Sequence, residues 1–78
     1  MDTGKYLRKM RKQRGLSLGE VVEKSKNQID KTTLSRIERN ERGVSLTAAY
    51  LLSKIYGEDF EDFSRKILQL RGVKLPRR

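Results

Sequence analysis

Seventy-eight residues with a formal net charge of +9 make one small domain, near the lower size at which a chain folds unaided. The chain has no cysteine and no histidine, which excludes disulfides, thiolate or imidazole metal sites and the usual general base. No metal or cofactor site and no enzymatic activity are expected, since any chemistry would have to rest on carboxylates and lysines.

The longest uninterrupted apolar run, Ala48 to Leu52, is far too short to span a bilayer. Lys5, Arg8, Lys9, Arg11, Lys12 and Arg14 break up the amino-terminal stretch, so no signal-peptide pattern opens it. A cytoplasmic protein with no membrane partner is the expectation. The excess of positive charge points to a polyanion, for which nucleic acid is the usual candidate. Glu58, Asp59, Glu61 and Asp62 form an acidic knot, which leaves the first 43 residues and the last eight as the basic parts.

A first helix is expected from about Lys5 to Arg14, with Tyr6, Leu7 and Met10 inward and Gly15 as its stop. Ser17-Leu18-Gly19-Glu20 announces a second, because a serine cap and a glutamate three residues on satisfy two free amides reciprocally. Val21 and Val22 supply its buried side. It ends near Lys26-Asn27, where asparagine tolerates the left-handed backbone of a helix terminus.

Asp30 is a suitable cap for a third helix, and Asn40 stands where a glycine would normally close it. Around this helix Lys31, Thr32, Ser35, Arg36 and Arg39 fall within an arc of roughly 140°, at ~100° per residue. Leu34 and Ile37 lie opposite. From these residues alone, the polar face is either an ordinary solvated surface or one shaped to read DNA.

Ser45 caps a fourth helix whose apolar set is Leu46, Ala49, Leu52, Ile55 and Tyr56, and Gly57 ends it. A fifth begins near Asp59, with the acidic knot at its positive end, and carries Phe60, Phe63, Ile67 and Leu70 down one side. The knot lacks a glycine-centred calcium loop and reads as a charged helix start. Tyr6, Tyr56, Phe60 and Phe63 have core spacing rather than that of a base-stacking platform; Tyr50 falls at the margin of its helix's buried side. The tail from Gly72 to Arg78 holds the only proline and is expected to be basic and mobile. With no repeat and no strand signal, the fold class is all-α, a domain over 1–71 with a tail over 72–78.

Two helices joined by a turn, the second with a polar outer face, describe a helix-turn-helix. The strings Leu7…Arg11…Arg14-Gly15-Leu16-Ser17, Glu20-Val21-Val22-Glu23-Lys24, Leu34-Ser35-Arg36-Ile37-Glu38-Arg39 and Ser45-Leu46 resemble the phage-repressor or Cro-like type, also called the xenobiotic-response-element type. The similarity covers about residues 4 to 63, and its most specific part is Leu-Ser-Arg-Ile-Glu-Arg.

The resemblance implies a five-helix lambda-repressor-like bundle and a partner, double-stranded DNA. It makes Lys31 to Arg39 the recognition helix in the major groove, with Lys31, Thr32 and Arg36 at base edges and Ser35 close by. Arginine and lysine suit guanine O6 and N7, so guanines are expected in the half-site. Phosphates would be held by Arg39, Arg42, the Gly43 amide and the amino end of the second helix around Ser17. The family's arginine before the glycine pairs with the glutamate near the end of the recognition helix. These are Arg11 and Glu38, each at the edge of its helix's apolar stripe.

Three departures stand out. Leu18 replaces the family's usual glutamine, and Val44 stands where proline is common. The turn is longer, with Lys26-Asn27-Gln28 in place of a single glycine and Ile29 as its buried anchor; this opens the tilt of the recognition helix and offers Lys26 a phosphate contact. The leading expectation is a small sequence-specific transcriptional regulator of prokaryotic, viral or plasmid origin. It would act as a homodimer on paired half-sites through the fifth helix and tail, where Ile67, Leu68 and Leu70 exceed what a small core needs; Ile67 and Leu70 are equally well read as core residues. The alternatives are an antitoxin neutralising a protein partner, or an interaction adaptor that no longer reads DNA; RNA binding is weaker, for want of a single-strand stacking surface.

Overall fold

The computed structural model describes residues 2–74, so the expected mobility of residues 75–78 falls outside the described part. Five helices account for its regular structure: α1 (Thr3–Gln13), α2 (Leu18–Lys24), α3 (Lys31–Glu38), α4 (Leu46–Ile55) and α5 (Phe60–Leu70). The chain is all-α. Every helix opens on a side-chain cap, from Asp2, Ser17, Asp30, Ser45 and Asp59 in turn. Each cap oxygen accepts from an amide that has no partner inside its helix, so the starts are set by local chemistry. Asp2 moves the start of α1 ahead of the expected Lys5.

The helix ends share one geometry. In α2 the residue after the cap, Lys26, donates its amide to the Glu23 carbonyl at 2.9 Å, and Asn27 donates to the Val22 carbonyl at 3.0 Å. The same pair of bonds closes the other four helices, at Gly15, Asn40, Gly57 and Gly72. This closure requires a left-handed residue. Lys26 supplies it at φ 57°, and Asn27 follows at φ 61°, so the turn expected to pivot on Asn27 pivots first on a lysine.

Helix α3 packs between α1 and α2, and α4 packs on α5. Leu7, Val21, Leu34, Leu52 and Phe63 are buried at the centre, with Ile29 anchoring the turn beneath them. Burial of each such side chain stabilises by about 1.5–3 kcal/mol.

One expectation about an apolar residue needs correction and one alternative is resolved. Leu46, expected on the buried side of α4, is 76% exposed at the first position of the helix. Ile67 and Leu70, open in the sequence between a dimer surface and the core, belong to the core. They are 4% and 9% exposed, taken up by the chain's own packing, and only Leu68 of that set stays partly open.

Candidate nucleic-acid interface

Helix α3 presents two unlike faces. Leu34 and Ile37 are buried against α1 and α2, while Lys31, Thr32, Arg36 and Arg39 are exposed and Ser35 is half-buried. At its amino end Asp30 accepts the Thr33 amide at 2.7 Å. The Thr33 hydroxyl and amide together hold the Asp30 carboxyl below its ordinary range, with smaller help from the Arg42 and Arg36 charges. Asp30, Thr33 and Arg42 line one shallow groove with Asn27, Gln28, Ser45 and Thr47. The longer turn and the loop after α3 therefore flank the same end of the helix.

The residues expected at phosphates separate into free and committed groups. Lys26, Arg42 and Gly43 are exposed. Arg39 lies back along its helix, donating to the Ser35 carbonyl at 3.4 Å and standing 3.5 Å from Glu41. The Ser17 hydroxyl is committed to the capping box, accepting from the Glu20 amide at 3.1 Å while Glu20 accepts the Ser17 amide at 2.8 Å. That leaves the Leu18 and Gly19 amides as the donors an anion could use there. Leu18 itself is half-buried and packs on the core, consistent with its inability to brace a phosphate.

The carboxyl end of α3 is fixed to α1. Arg11 donates from Nε to Glu38 Oε2 at 2.8 Å and from Nη2 to Oε1 at 2.9 Å, a bidentate pair whose side chains are 10% and 6% exposed. Its remaining Nη1 reaches the Leu16 carbonyl at 2.8 Å. The hydrogen bonds to Glu38 outweigh burial and hold the Arg11 pKa above its ordinary value.

Sequence reasoning missed a second attachment beside this pair. Asn40, read only as a helix stop, accepts the Gly4 amide at 2.9 Å and donates to the Asp2 carboxylate. A Cβ on Gly4 would clash with the Glu38 carbonyl, so the start of α1 touches the backbone end of α3. The sequence offers no signal for it beyond Gly4, a residue without a side chain just ahead of the expected helix start.

Arg14 was also missed as a structural residue. It donates to the Tyr56 carbonyl at 2.6 Å, to Met10 at 3.1 Å and to Glu58 at 2.9 Å, tying α1 to the end of α4. Glu58 is thereby drawn out of the acidic knot into an ion pair, while Asp59 caps α5 by accepting the Asp62 amide at 3.1 Å. Among the described residues no cluster of three or more carboxylates is arranged to hold a metal. No helix among them is long and apolar enough to cross a membrane.

No curated protein and no solved structure matches the chain significantly. Residues 7–63, by contrast, match the family model HTH_3, described as helix-turn-helix. In that frame α2 and α3 are the two helices of the motif, α3 is the one with the open cationic face, and the match runs from Leu7 to Phe63. The chain therefore belongs to the helix-turn-helix family of phage-repressor or Cro-like DNA-binding regulators.

Proposed function

We propose that the protein is a sequence-specific reader of double-stranded DNA that regulates transcription, with α3 in the major groove. The observation that carries this is the exposure of Lys31, Thr32 and Arg36 on the one face of α3 that the core leaves open. Lysine and arginine there reach guanine O6 and N7, and threonine hydrogen-bonds a base or touches a thymine methyl. Lys26, Arg39, Arg42 and the amides of Gly43, Leu18 and Gly19 hold the flanking phosphates; Arg39 first leaves its contacts with Ser35 and Glu41. Ser35 packs close to the base edges.

One helix in one groove gives limited affinity, so two copies on half-sites a turn of DNA apart form the working complex. Selection from a random duplex pool, followed by titration of the winner and of random duplex against salt, tests the reading. Three side-chain cations per copy predict a log–log salt slope of about −5 for two bound copies. Lys31→Ala and Arg36→Ala each relax preference at particular base pairs by about 1–3 kcal/mol, whereas Arg42→Ala weakens all duplexes alike. Equal affinity for every duplex refutes sequence-specific regulation, and absence of any DNA affinity leaves the adaptor reading in its place.

A further inference from the structure

A groove of about 670 Å³ lies between α1 and α5, and the reading of DNA makes no use of it. Tyr6 and Met10 of α1 and Leu70 of α5 give it apolar lining. The Tyr6 ring stands 6.2 Å from Phe63, so the two helices are packed together there. Lys5 and Lys9 of α1 and Lys66 of α5 line the same groove, and all three are exposed. Each helix therefore gives the groove both apolar surface and positive charge.

The charges in the groove are unequal in number and in commitment. Lys5, Lys9, Arg14 and Lys66 stand against two carboxylates, Asp2 and Glu58. Asp2 already accepts the Lys5 backbone amide at 2.8 Å and the Asn40 side-chain amide, and Glu58 pairs with Arg14 at 2.9 Å. Among the described residues none of the three lysines lies within ion-pair distance of a carboxylate. The groove thus sets three unpaired ammonium groups beside apolar side chains. Its complement is a surface that sets carboxylates beside apolar residues.

We infer that this groove docks an acidic amphipathic helix of a partner protein. Lys5 and Lys9 are four residues apart, which is about 6 Å along α1 at ~1.5 Å per residue. Glutamates four apart on a helix lying alongside recur at the same step, and the apolar stripe next to them turns onto Tyr6, Met10 and Leu70. A second duplex would bring charge but no apolar surface to cover those side chains. A compact anion such as phosphate would fill little of the volume.

The groove is turned away from α3. At ~100° per residue, the α1 positions that line it centre roughly 160° round the helix from Gly4 and Arg11, where α1 meets α3. The bodies of α1 and α3, each about 10 Å across, therefore separate the groove from a duplex on α3 by about 20 Å. Exposed charges are screened over about 8 Å at physiological salt, so the duplex does not repel an acidic helix at that distance. One copy then holds both, and the groove is where DNA-bound protein recruits its partner. Docking stands on the groove's own residues; only this joint occupancy rests on the proposed reading of DNA by α3.

The test uses the full chain and a short fluorescein-labelled peptide, rich in glutamate, with its leucines in one stripe at helical spacing. A control peptide of the same composition has its leucines spread round the helix. Fluorescence anisotropy is expected to show the striped peptide bound and the control at least about tenfold weaker. The triple variant Lys5→Gln, Lys9→Gln, Lys66→Gln is expected to weaken the striped peptide about tenfold, as three exposed ion pairs together would, with an unchanged melting temperature. Lys66→Gln alone repeats part of the loss from α5. Saturation with the selected duplex is expected to leave peptide affinity within about threefold. A striped peptide that does not bind, or binds no better than the control, overturns the inference. So does a triple variant that binds the striped peptide as wild type does, or one that loses duplex and peptide alike, which makes the lysines a second DNA surface. Displacement of the peptide by duplex overturns the joint occupancy. If no duplex binds, the DNA reading falls, while the peptide arms still decide the docking.

Discussion

Replacing Glu38 by alanine tests the claim that the recognition helix is held by a desolvated ion pair. The substitution leaves Arg11 with its Leu16 contact but without the two bonds to the carboxylate. Both side chains are at least nine-tenths buried, so solvent cannot replace the lost partner as it would at a surface pair. Breaking a buried pair from one side costs about 3–5 kcal/mol. For a domain of this size each 1 kcal/mol moves the melting temperature by roughly 4–8 °C. Taking ~3 kcal/mol, thermal denaturation followed by circular dichroism should show a fall of roughly 12–24 °C. The double variant Arg11→Met with Glu38→Leu removes both charges and should recover most of the loss, short by about 1 kcal/mol for the Leu16 carbonyl left without its donor. Its affinity for the selected duplex should stay below wild type, because apolar packing does not fix the angle of α3 as a bidentate pair does. A Glu38→Ala fall of less than ~4 °C, the equivalent of 1 kcal/mol, refutes the argument.

Lys26→Gly should move stability and affinity in opposite directions. Glycine accepts the left-handed turn without strain and should add about 0.5–1 kcal/mol in a melt, while loss of the ammonium lowers the salt slope of DNA binding by about 1 per copy; a slope equal to wild type would remove Lys26 from the phosphate set. Gly4→Ala drives a methyl against the Glu38 carbonyl, and overpacking of ~1–3 kcal/mol should lower the melting temperature and duplex affinity together. An unchanged melt would mean that α1 and α3 are not in contact there. Acid should loosen the helix starts: Asp2, Glu20 and Asp30 are held below their ordinary range by Asn40, by the Ser17 amide and by Thr33 respectively. A lowered folded value means that the contribution is complete above the unfolded values near about 4 and is lost as pH falls through the folded ones. Melting temperature should thus be level from neutral to mildly acidic pH and drop below about pH 4, with a shallower drop in Asp30→Asn; a drop as steep in that variant counts against the cap.

What the sequence made legible was mostly local. Asp30, Ser45 and the Ser17–Glu20 box are short-range devices whose partners lie three residues away, so residue identity and order suffice to find them. Leu34 against Lys31, Thr32 and Arg36 was equally readable from helical period. The misses are long-range or conformational. Asn40 meets Gly4 across 36 residues of chain, and Arg14 meets Glu58 across 44, which no periodicity announces. Leu46 has the composition of a core residue, but at the first turn of α4 it stays 76% exposed. The left-handed backbone of Lys26, unlike its charge, went unread because lysine is a poor left-handed residue; the closure of α2 over a shared pair of carbonyls imposes the angle regardless of the side chain.

The placement of these contacts gives α3 a fixed end and a working end. Everything polar that attaches it to α1, namely Glu38, Asn40 and the backbone against Gly4, gathers at its carboxyl terminus. Directional bonds set an angle, whereas Leu34 and Ile37 alone would allow the helix to slide and roll on the core. The amino end, where Lys31 and Thr32 stand, has only its Asp30 cap and the turn before it. That turn is longer than its type requires, but length has not made it loose. Ser25 is 1% exposed, donates to the Val22 carbonyl at 2.7 Å and accepts the Ile29 amide at 3.2 Å, so the extra residues are strapped across their base. The insertion therefore acts as a rigid spacer that lifts Lys26, Asn27 and Gln28 out beside the reading end. On the proposed reading of DNA, two consecutive left-handed residues, Lys26 and Asn27, would be the cost of holding a cation there.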